Sequence, residues 1–276
     1  MQCKHQVSFF TILLTGIILT SCTKKKDTFD SDSGTSYSTA DNLFKDINKT
    51  ISDAANENNL SGKNDEDGGV NDLCATVTLN PNDFITFPKT VTVDFGAIGC
   101  TDQYGVTRRG KLTAVFTDYL HNPGARVDVT FQNYYVNGVK AEGLYALTNT
   151  SPNSNSRSFA DTITNGKATT ADGKVCTWNA TRSSVQTQGF GTLAISDDVY
   201  TGQGISTGIG FNGKSFEATS SNIVWKLNCK YLVSGLVTIF SGTDPTPVLV
   251  DFGSGVCDNK YKVSYDIYDV NLQFWY

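Results

Sequence analysis

Hydrophobic and polar positions divide the chain into three parts. An apolar stretch covers residues 7–19. Ser, Asp, Asn, Lys and Gly dominate residues 23–72, and Thr, Val, Tyr and Phe recur in strand-length segments over residues 73–276. Alternation of apolar and polar residues with a period of two is typical of strands that bury one face. The pattern predicts a polar segment between an apolar leader and one β domain.

Turn signals inside residues 73–276 predict antiparallel hairpins. Asn137-Gly138, Asp172-Gly173 and Asn212-Gly213 each separate two alternating segments, and type I′ turns prefer such dipeptides because both central residues need positive φ. About 200 residues are enough for one sizeable core. We predict an all-β fold, an antiparallel meander of hairpins that forms either a sandwich or a curled sheet.

Residues 22–72 are expected to form a flexible acidic tether in front of that domain. Their composition buries too little apolar area to offset the entropy of ordering. Within them Leu43, Ile47 and Ile51 recur every four residues, which predicts a short helix at about 40–57. We expect the helix to dock loosely on the β domain. The alternative is a helix that binds a partner.

The β domain contains an internal repeat. Each copy has a Cys, a strand, a loop, the pattern Val-x-Val-Asp-Phe-Gly, a second Cys and an Asp, over residues 74–102 and 229–258. A Pro-containing loop lies near the midpoint between the two cysteines of each copy. Because residues equidistant from the turn of an antiparallel hairpin face each other, we predict disulfides between Cys74 and Cys100 and between Cys229 and Cys257.

The cysteines have a competing interpretation as metal ligands. That interpretation needs CxxC spacing or close histidines, and neither occurs in the sequence. Cys176 is left without a partner. It shares a strand face with Trp178, which suits a small buried hydrophobe, and the alternative is a reactive or intermolecular thiol.

The first 21 residues have the pattern of a signal peptide. Lys4 precedes an apolar stretch that is too short to span about 30 Å of hydrocarbon. Leu19-Thr20-Ser21-Cys22 resembles the bacterial lipobox, in which the thiol receives a diacylglycerol before cleavage; ordinary cleavage near Cys22 is the alternative. Thr23 follows where, as the resemblance implies, an Asp retains lipoproteins in the inner membrane. We therefore expect a lipid on Cys22 and an outer-membrane location.

Charge limits the class of partner. Removal of the signal peptide leaves 21 basic and 27 acidic residues, a net charge of −6 with His neutral. Phosphate binding needs a basic surface, so we exclude nucleic acid. The basic run Lys24-Lys25-Lys26 lies beside the lipid, where it contacts anionic headgroups or starts a solvated spacer. The membrane is the expected partner, through Cys22.

A wider resemblance covers nearly the whole mature chain. The lipobox, the acidic segment with a short helix, the two Asp-Phe-Gly-x-x-x-Cys segments, Tyr134-Tyr135-Val136-Asn137-Gly138 and Asp197-Asp198-Val199-Tyr200 resemble envelope lipoproteins common in Bacteroidota. The resemblance implies location and architecture and supplies no catalytic residue. Asn271 to Tyr276 are more aromatic than the resemblance implies.

Candidate catalytic groups are few. His121 is the only histidine of the mature chain and precedes a turn, so a Ser-His-Asp or Cys-His centre is not expected. Glycoside hydrolysis needs two carboxyl groups. Glu142 is placed opposite Asn133 on a face with Val129, where partial burial raises its pKa; the alternative is a rim residue bonded to Asn133 or Lys140. Glu217 is placed opposite Gly208 and solvated.

Asp94 and Asp251 occupy equivalent repeat positions, as do Asp102 and Asp258. Recurrence favours a structural role in which each carboxylate accepts backbone N–H groups at a turn. We expect no cofactor, with structural calcium in these turns as the alternative.

The domain's tryptophans and tyrosines serve either as β-core residues or as a sugar-stacking platform, and exposure of Trp178, Trp225 and Trp275 decides between the two. The sequence therefore favours a lipid-anchored binding or structural module of the envelope, with a glycan or an envelope protein as ligand. It does not predict an enzyme. The alternative is a carboxylate-dependent polysaccharide-processing enzyme.

Overall fold

The computed structural model describes residues 31–60, 74–83, 85–103, 105–192, 194, 196–229 and 231–273. One helix and fourteen strands follow each other along them: α1 (Ser31–Glu57), β1 (Thr76–Asn80), β2 (Lys89–Asp94), β3 (Cys100–Thr101), β4 (Thr107–Phe116), β5 (Arg126–Val136), β6 (Val139–Asn149), β7 (Ser158–Thr169), β8 (Val175–Gln188), β9 (Val199–Ile209), β10 (Ser215–Lys226), β11 (Ser234–Ser241), β12 (Val248–Ser254), β13 (Lys260–Tyr265) and β14 (Tyr268–Gln273).

All fourteen strands belong to one antiparallel sheet that is not closed. Each strand pairs with its neighbour in the chain, except that β2 pairs directly with β4 and the short β3 pairs with the start of β4. Strands β1 and β14 lie at the two ends of the sheet. The predicted all-β meander is confirmed, and it is one sheet rather than a sandwich of two.

The sheet curls around α1. Three consecutive helix residues contact distant parts of the sheet: Phe44 packs on a tyrosine of β6, Lys45 lies over a phenylalanine of β12, and Asp46 bonds to β4 and β5. Successive helix residues point about 100° apart. The helix therefore has strands of the sheet on several sides, and it fills the interior of the curl.

Helix α1 differs from the short, loosely docked helix expected from the sequence. It begins nine residues earlier, at Ser31 rather than residue 40, and Leu43, Phe44, Ile47 and Ile51 are almost completely buried. Tertiary contacts account for the early start. The buried Ser36 accepts a hydrogen bond from the backbone N–H of Phe211 at 2.9 Å, a contact that composition alone does not indicate.

The inward faces of the strands supply the rest of the core. On β8, buried Cys176, Trp178 and Ala180 alternate with exposed residues, as a strand with one covered face requires. The neighbouring strand β9 has glycines directly opposite the inward-facing residues of β8. Gly204 lies under Arg182, where an added Cβ would be 2.6 Å from the arginine Cγ. Small residues on β9 thus make room for large side chains of β8.

The three predicted hairpins form, but only one has the expected turn. Asn137 and Gly138 both have positive φ, at 48° and 81°, as type I′ requires. In the other two turns only Gly173 and Gly213 have positive φ. Each of these glycines adds a residue to the turn, as in a G1 bulge. The register on β10 consequently moves by one residue, so Glu217 lies opposite Thr207 rather than Gly208, although it is exposed as expected.

Candidate functional site

The two predicted disulfides are present. Cys74 bonds to Cys100 and Cys229 bonds to Cys257, with Cα atoms 5.9 and 5.8 Å apart. Each bond closes the open end of one hairpin, β1–β2 in the first repeat and β11–β12 in the second. The repeat therefore has a structural counterpart at both ends of the sheet.

The paired aspartates of the repeat act in turns. The carboxylates of Asp94 and Asp251 accept the backbone N–H of the residue two positions on, at 2.9 and 2.8 Å. Asp102 and Asp258 accept backbone N–H groups in the turns that follow, both at 2.9 Å. These bonds match the structural role predicted for the four residues. Among the described residues, no group of three or more His, Cys, Asp or Glu side chains is arranged to hold a metal ion.

A buried ion-pair network joins α1 to β4. The guanidinium of Arg108 donates to Asp46 of the helix, with Nε 2.9 Å from Oδ1, and to Asp102 at 2.8 Å. The hydroxyl of Tyr134 donates to the second oxygen of Asp46 at 2.7 Å. Burial alone lowers the pKa of Arg108, but the two carboxylates outweigh it and raise that pKa. Burial, followed by the negative Asp46, raises the pKa of Tyr134.

A second network joins an earlier turn of α1 to β8. Arg182 donates to Asp41 at 2.8 Å and lies 4.4 Å from the ring centre of Phe44, while Lys45 contacts the other oxygen of Asp41 at 2.7 Å. Burial alone raises the pKa of Asp41, but the two cations lower it below its usual range. Burial raises the pKa of Asp161 nearby. Both networks lie inside the curl, so their first role is to fix the helix in the sheet.

Glu142 does not have the surroundings that the sequence predicted. The β5–β6 ladder is interrupted between Val129 and Tyr135, and Val129 faces Tyr145 instead of Ala146. Because a shift of one residue exchanges the two faces of a strand, Glu142 lies on the outer face. Its carboxylate contacts Lys140 at 2.9 Å and Lys167 at 3.4 Å.

These two lysines lower the pKa of Glu142, chiefly through the hydrogen bond from Lys140. The predicted rise in pKa is therefore wrong, and the pairing with Asn133 is not formed. The alternative of a rim residue bonded to Lys140 is the one that the structure supports.

A cleft on the outer face lies beside Asp94. It has a volume of about 390 Å³ and is lined by the side chains or backbone of Asp94, Gly96, Ala97, Arg109, Gly110, Lys111, Gln132, Asn133 and Tyr135. A neighbouring depression of about 520 Å³ shares Asp94 and Gly96 and extends to Cys74. The cleft thus lies where the Asp-Phe-Gly turn and strands β4 and β5 meet, beside the depression that extends to the first disulfide.

Backbone irregularity shapes this cleft. Asn133 has a φ of 48° and Gly110 a φ of 84°, and both lie where the β4–β5 ladder is interrupted. A Cβ on Gly110 would be 2.0 Å from the carbonyl oxygen of Asn133, so only glycine fits there. Bulges of this kind are over-represented beside binding sites, where they redirect side chains.

The cleft combines hydrogen-bond donors and acceptors. Lys111 contacts Asp94 at 2.7 Å, and this bond, followed by the N–H of Gly96, lowers the pKa of Asp94. The guanidinium of Arg109 lies 3.5 Å from the ring centre of Tyr135. Asp94 accepts, Arg109 and Lys111 donate, and the amides of Gln132 and Asn133 do both. Among the described residues that line the cleft, Asp94 is the only carboxylate.

The tryptophans have different environments. Trp178 is buried in the core, whereas Trp225 is partly exposed and stacks on Tyr200 with ring centres 5.6 Å apart. Trp275 lies outside the described residues. Of the two tryptophans that the structure describes, Trp178 is a core residue, and only Trp225 is available to the sugar-stacking platform that the sequence left as one alternative.

Other predicted residues lie apart from the cleft. Cys176 is a free cysteine in the core, and burial raises the pKa of its thiol to about 11. His121 stacks on Tyr119, with ring centres 5.5 Å apart, in the β4–β5 loop. Cys22 and the signal peptide lie outside the described residues. Within the described part of the chain, no helix combines the length and hydropathy needed to cross a membrane.

The cleft and the two networks were missed by sequence reasoning for different reasons. Arg108 and Arg182 share no local pattern with their partners on the helix, since Asp46 and Asp41 lie 62 and 141 positions earlier in the chain. Arg109 and Lys111 sit in an ordinary alternating strand. The available signal was Gly110, a glycine inside a strand pattern, which is typical of a bulge.

Comparison of the chain with protein-family models, with curated proteins and with solved structures finds no match.

Proposed function

We propose that this protein is a lipid-anchored binding module of the bacterial cell envelope, with the Asp94 cleft as its binding site and a glycan as its ligand. Two features support the proposal. The segment ending at Cys22 has the lipobox pattern. The cleft presents fixed donors and acceptors on a rigid sheet, which is where a binding site is held with the least loss of entropy.

The mixture of donors and acceptors in the cleft is the observation that carries this function. A sugar hydroxyl both donates and accepts, so its recognition needs acceptors such as Asp94 beside donors such as Arg109 and Lys111. One carboxylate against two cations gives the cleft a charge of +1, far below that of a phosphate-binding surface. The acidic mature chain also disfavours nucleic acid as a partner.

Binding is better supported than hydrolysis at this cleft. A glycoside hydrolase mechanism needs two carboxyl groups about 5 to 10 Å apart. In the described part of the chain Asp94 is the one carboxylate that lines the cleft, and it is already bonded to Lys111 and to the N–H of Gly96. Glu142 is paired with two lysines on β6 and β7.

The fold limits how far the module extends from its anchor. Helix α1 begins at Ser31 and is buried in the curl from Ser36, so residues 23–30 separate Cys22 from the helix. Eight residues span at most about 29 Å when fully extended. The domain therefore works close to the membrane surface, in contrast to the long tether expected from composition.

A glycan microarray tests the proposed binding site. The folded protein is applied beside two variants, Arg109→Ala in the cleft and Arg126→Ala on the outer face of β5, where the arginine pairs with exposed Asp128. We expect the wild-type protein to bind glycans on the array. Arg109→Ala should reduce these signals at least about tenfold, because it removes roughly one charged hydrogen bond. Arg126→Ala should keep them. Absence of any glycan signal, or equal signals from both variants, would contradict the proposal.

A further inference from the structure

The two free edges of the sheet differ in how they are protected. Strand β1 has five residues and is bounded by the disulfide at Cys74 and by Pro81, which has no backbone N–H. Strand β14 has six residues, Tyr-Asp-Val-Asn-Leu-Gln, without proline or lysine. Proteins usually shorten or charge a free edge to prevent pairing with another chain. The disulfide and the proline limit β1 at both of its ends, whereas β14 has only the single charge of Asp269.

Strand β14 also exposes apolar surface. Val270 is 51% exposed, and Ile267 in the turn before the strand is 80% exposed. Among the described strands, only β13 pairs with β14. An exposed apolar edge strand is a template for a further strand.

The internal repeat indicates that strand β14 is suited to pairing along both of its edges. Three adjacent strands carry an Asp, a Lys and an amide in register in each repeat: Asp94, Lys111 and Gln132 on β2, β4 and β5, and Asp251, Lys262 and Asn271 on β12, β13 and β14. Strand β14 thus occupies the position of β5. The far edge of β5 is hydrogen-bonded to β6, and the equivalent edge of β14 has no described strand beside it.

We propose that β14 pairs antiparallel with β14 of a second copy of this chain, with the two-fold axis at Val270. This register places Val270 opposite Val270 and Asp269 opposite Asn271 of the other copy. No like charges meet in this register, because each Asp269 lies opposite an uncharged amide. Each Asp269 also contacts Lys262 of its own chain, 3.6 Å away. Charge repulsion across the interface is therefore small.

Backbone hydrogen bonding fits the same register. The β13–β14 turn has two residues, and Tyr265 and Tyr268 flank it as a pair. In such hairpins the flanking pair exchanges both hydrogen bonds, so alternate residues direct their N–H and C=O groups to the free edge. These residues are Asp269, Asn271 and Gln273. In the proposed dimer Asp269 and Asn271 of opposite copies exchange those bonds.

Cysteine crosslinking tests the dimer in the full-length chain in its membrane. Val270→Cys places two thiols directly across the two-fold axis. Thr78→Cys places a thiol at the centre of β1, at a position that is also exposed, as a control for chance collisions. Under mild oxidation we expect Val270→Cys to shift the main band to twice the monomer mass and Thr78→Cys to remain monomeric. A monomeric Val270→Cys, a heterogeneous product joined to another protein, or equal crosslinking by Thr78→Cys would overturn the proposal.

A second variant separates pairing from folding. Asn271→Pro in the Val270→Cys background removes an edge-directed N–H, which an edge strand tolerates without losing its own ladder. We expect the crosslinked dimer to be lost while the melting temperature of the monomer stays within a few degrees. An undiminished dimer band would show that the contact is not β14 pairing, and the proposal would fail.

Discussion

The buried pair between Asp46 and Arg108 offers the sharpest test of the role of α1. Asp46→Ala leaves a guanidinium that is 5% exposed without its helix partner, and it also removes the acceptor of the Tyr134 hydroxyl. Removal of one partner from a buried pair costs about 3–5 kcal/mol. For a domain of roughly 200 residues, each kcal/mol lowers the melting temperature by about 2–4 °C. We expect a loss of about 6–20 °C.

Asp128→Ala is the matched control for that measurement. It removes the same residue type from an ion pair with Arg126, whose side chains are 48% and 50% exposed. Exposed pairs contribute at most about 1 kcal/mol, so its melting temperature should fall by less than about 4 °C. Thermal unfolding followed by circular dichroism compares the two variants. If Asp46→Ala melts within a few degrees of Asp128→Ala, the helix is not held by this pair and the argument for an integral α1 fails.

Three further predictions concern the sheet. In urea unfolding, Gly110→Ala should lower the free energy of unfolding by at least about 2 kcal/mol more than Gly138→Ala. Both glycines have φ near +80°, but only a Cβ on Gly110 meets a backbone oxygen, that of Asn133. Equal losses of stability in the two variants would refute the clash. Burial raises the pKa of the Cys176 thiol to about 11 from an ordinary 9.0, so this thiol should resist alkylation at pH 8 until the protein unfolds. The free energy of unfolding should fall as pH rises from about 9 to about 11, because the thiol of the unfolded chain loses its proton first. Rapid alkylation of the native protein would contradict the burial of Cys176. Calcium titration should leave the melting temperature unchanged, whereas a rise would point to calcium in the turn at Asp94.

Local patterns in the sequence predicted the regular part of the fold. Alternation and turn dipeptides indicated an antiparallel meander, and the equal spacing of cysteines around proline loops indicated both disulfides. These features depend on residues that are close in the chain or equidistant from one turn. The repeated Asp94 and Asp251 also revealed their turn role, since both copies place the same side chain before the same backbone N–H.

Bulges account for most of the errors. A sequence gives the period of a strand but not an interruption of its ladder, and one extra residue exchanges the two faces. The break near Asn133 moved Glu142 to the outer face of the sheet, and the turn at Gly213 moved Glu217 by one position. The Asp94 cleft lies at such an interruption of the ladder. The bulges that make strand register hard to predict from sequence therefore also shape the candidate site.

Helix α1 shows a different limit. The polar residues of the helix led composition to predict that residues 22–72 are flexible, because an aspartate such as Asp41 or Asp46, taken alone, favours exposure to water over burial. In the folded chain each of them is paired with an arginine from the sheet, so their burial is compensated. Such long-range pairing is visible only once the sheet has been assembled around the helix.

The lipid on Cys22 is the claim on which the cellular role depends most directly. Metabolic labelling with radioactive palmitate in a bacterial host, followed by separation of membranes, compares the wild type with Cys22→Ser. The account predicts a labelled, membrane-bound wild type and an unlabelled variant that is released from the membrane fraction. An unlabelled wild type, or label that persists on Cys22→Ser, would contradict it.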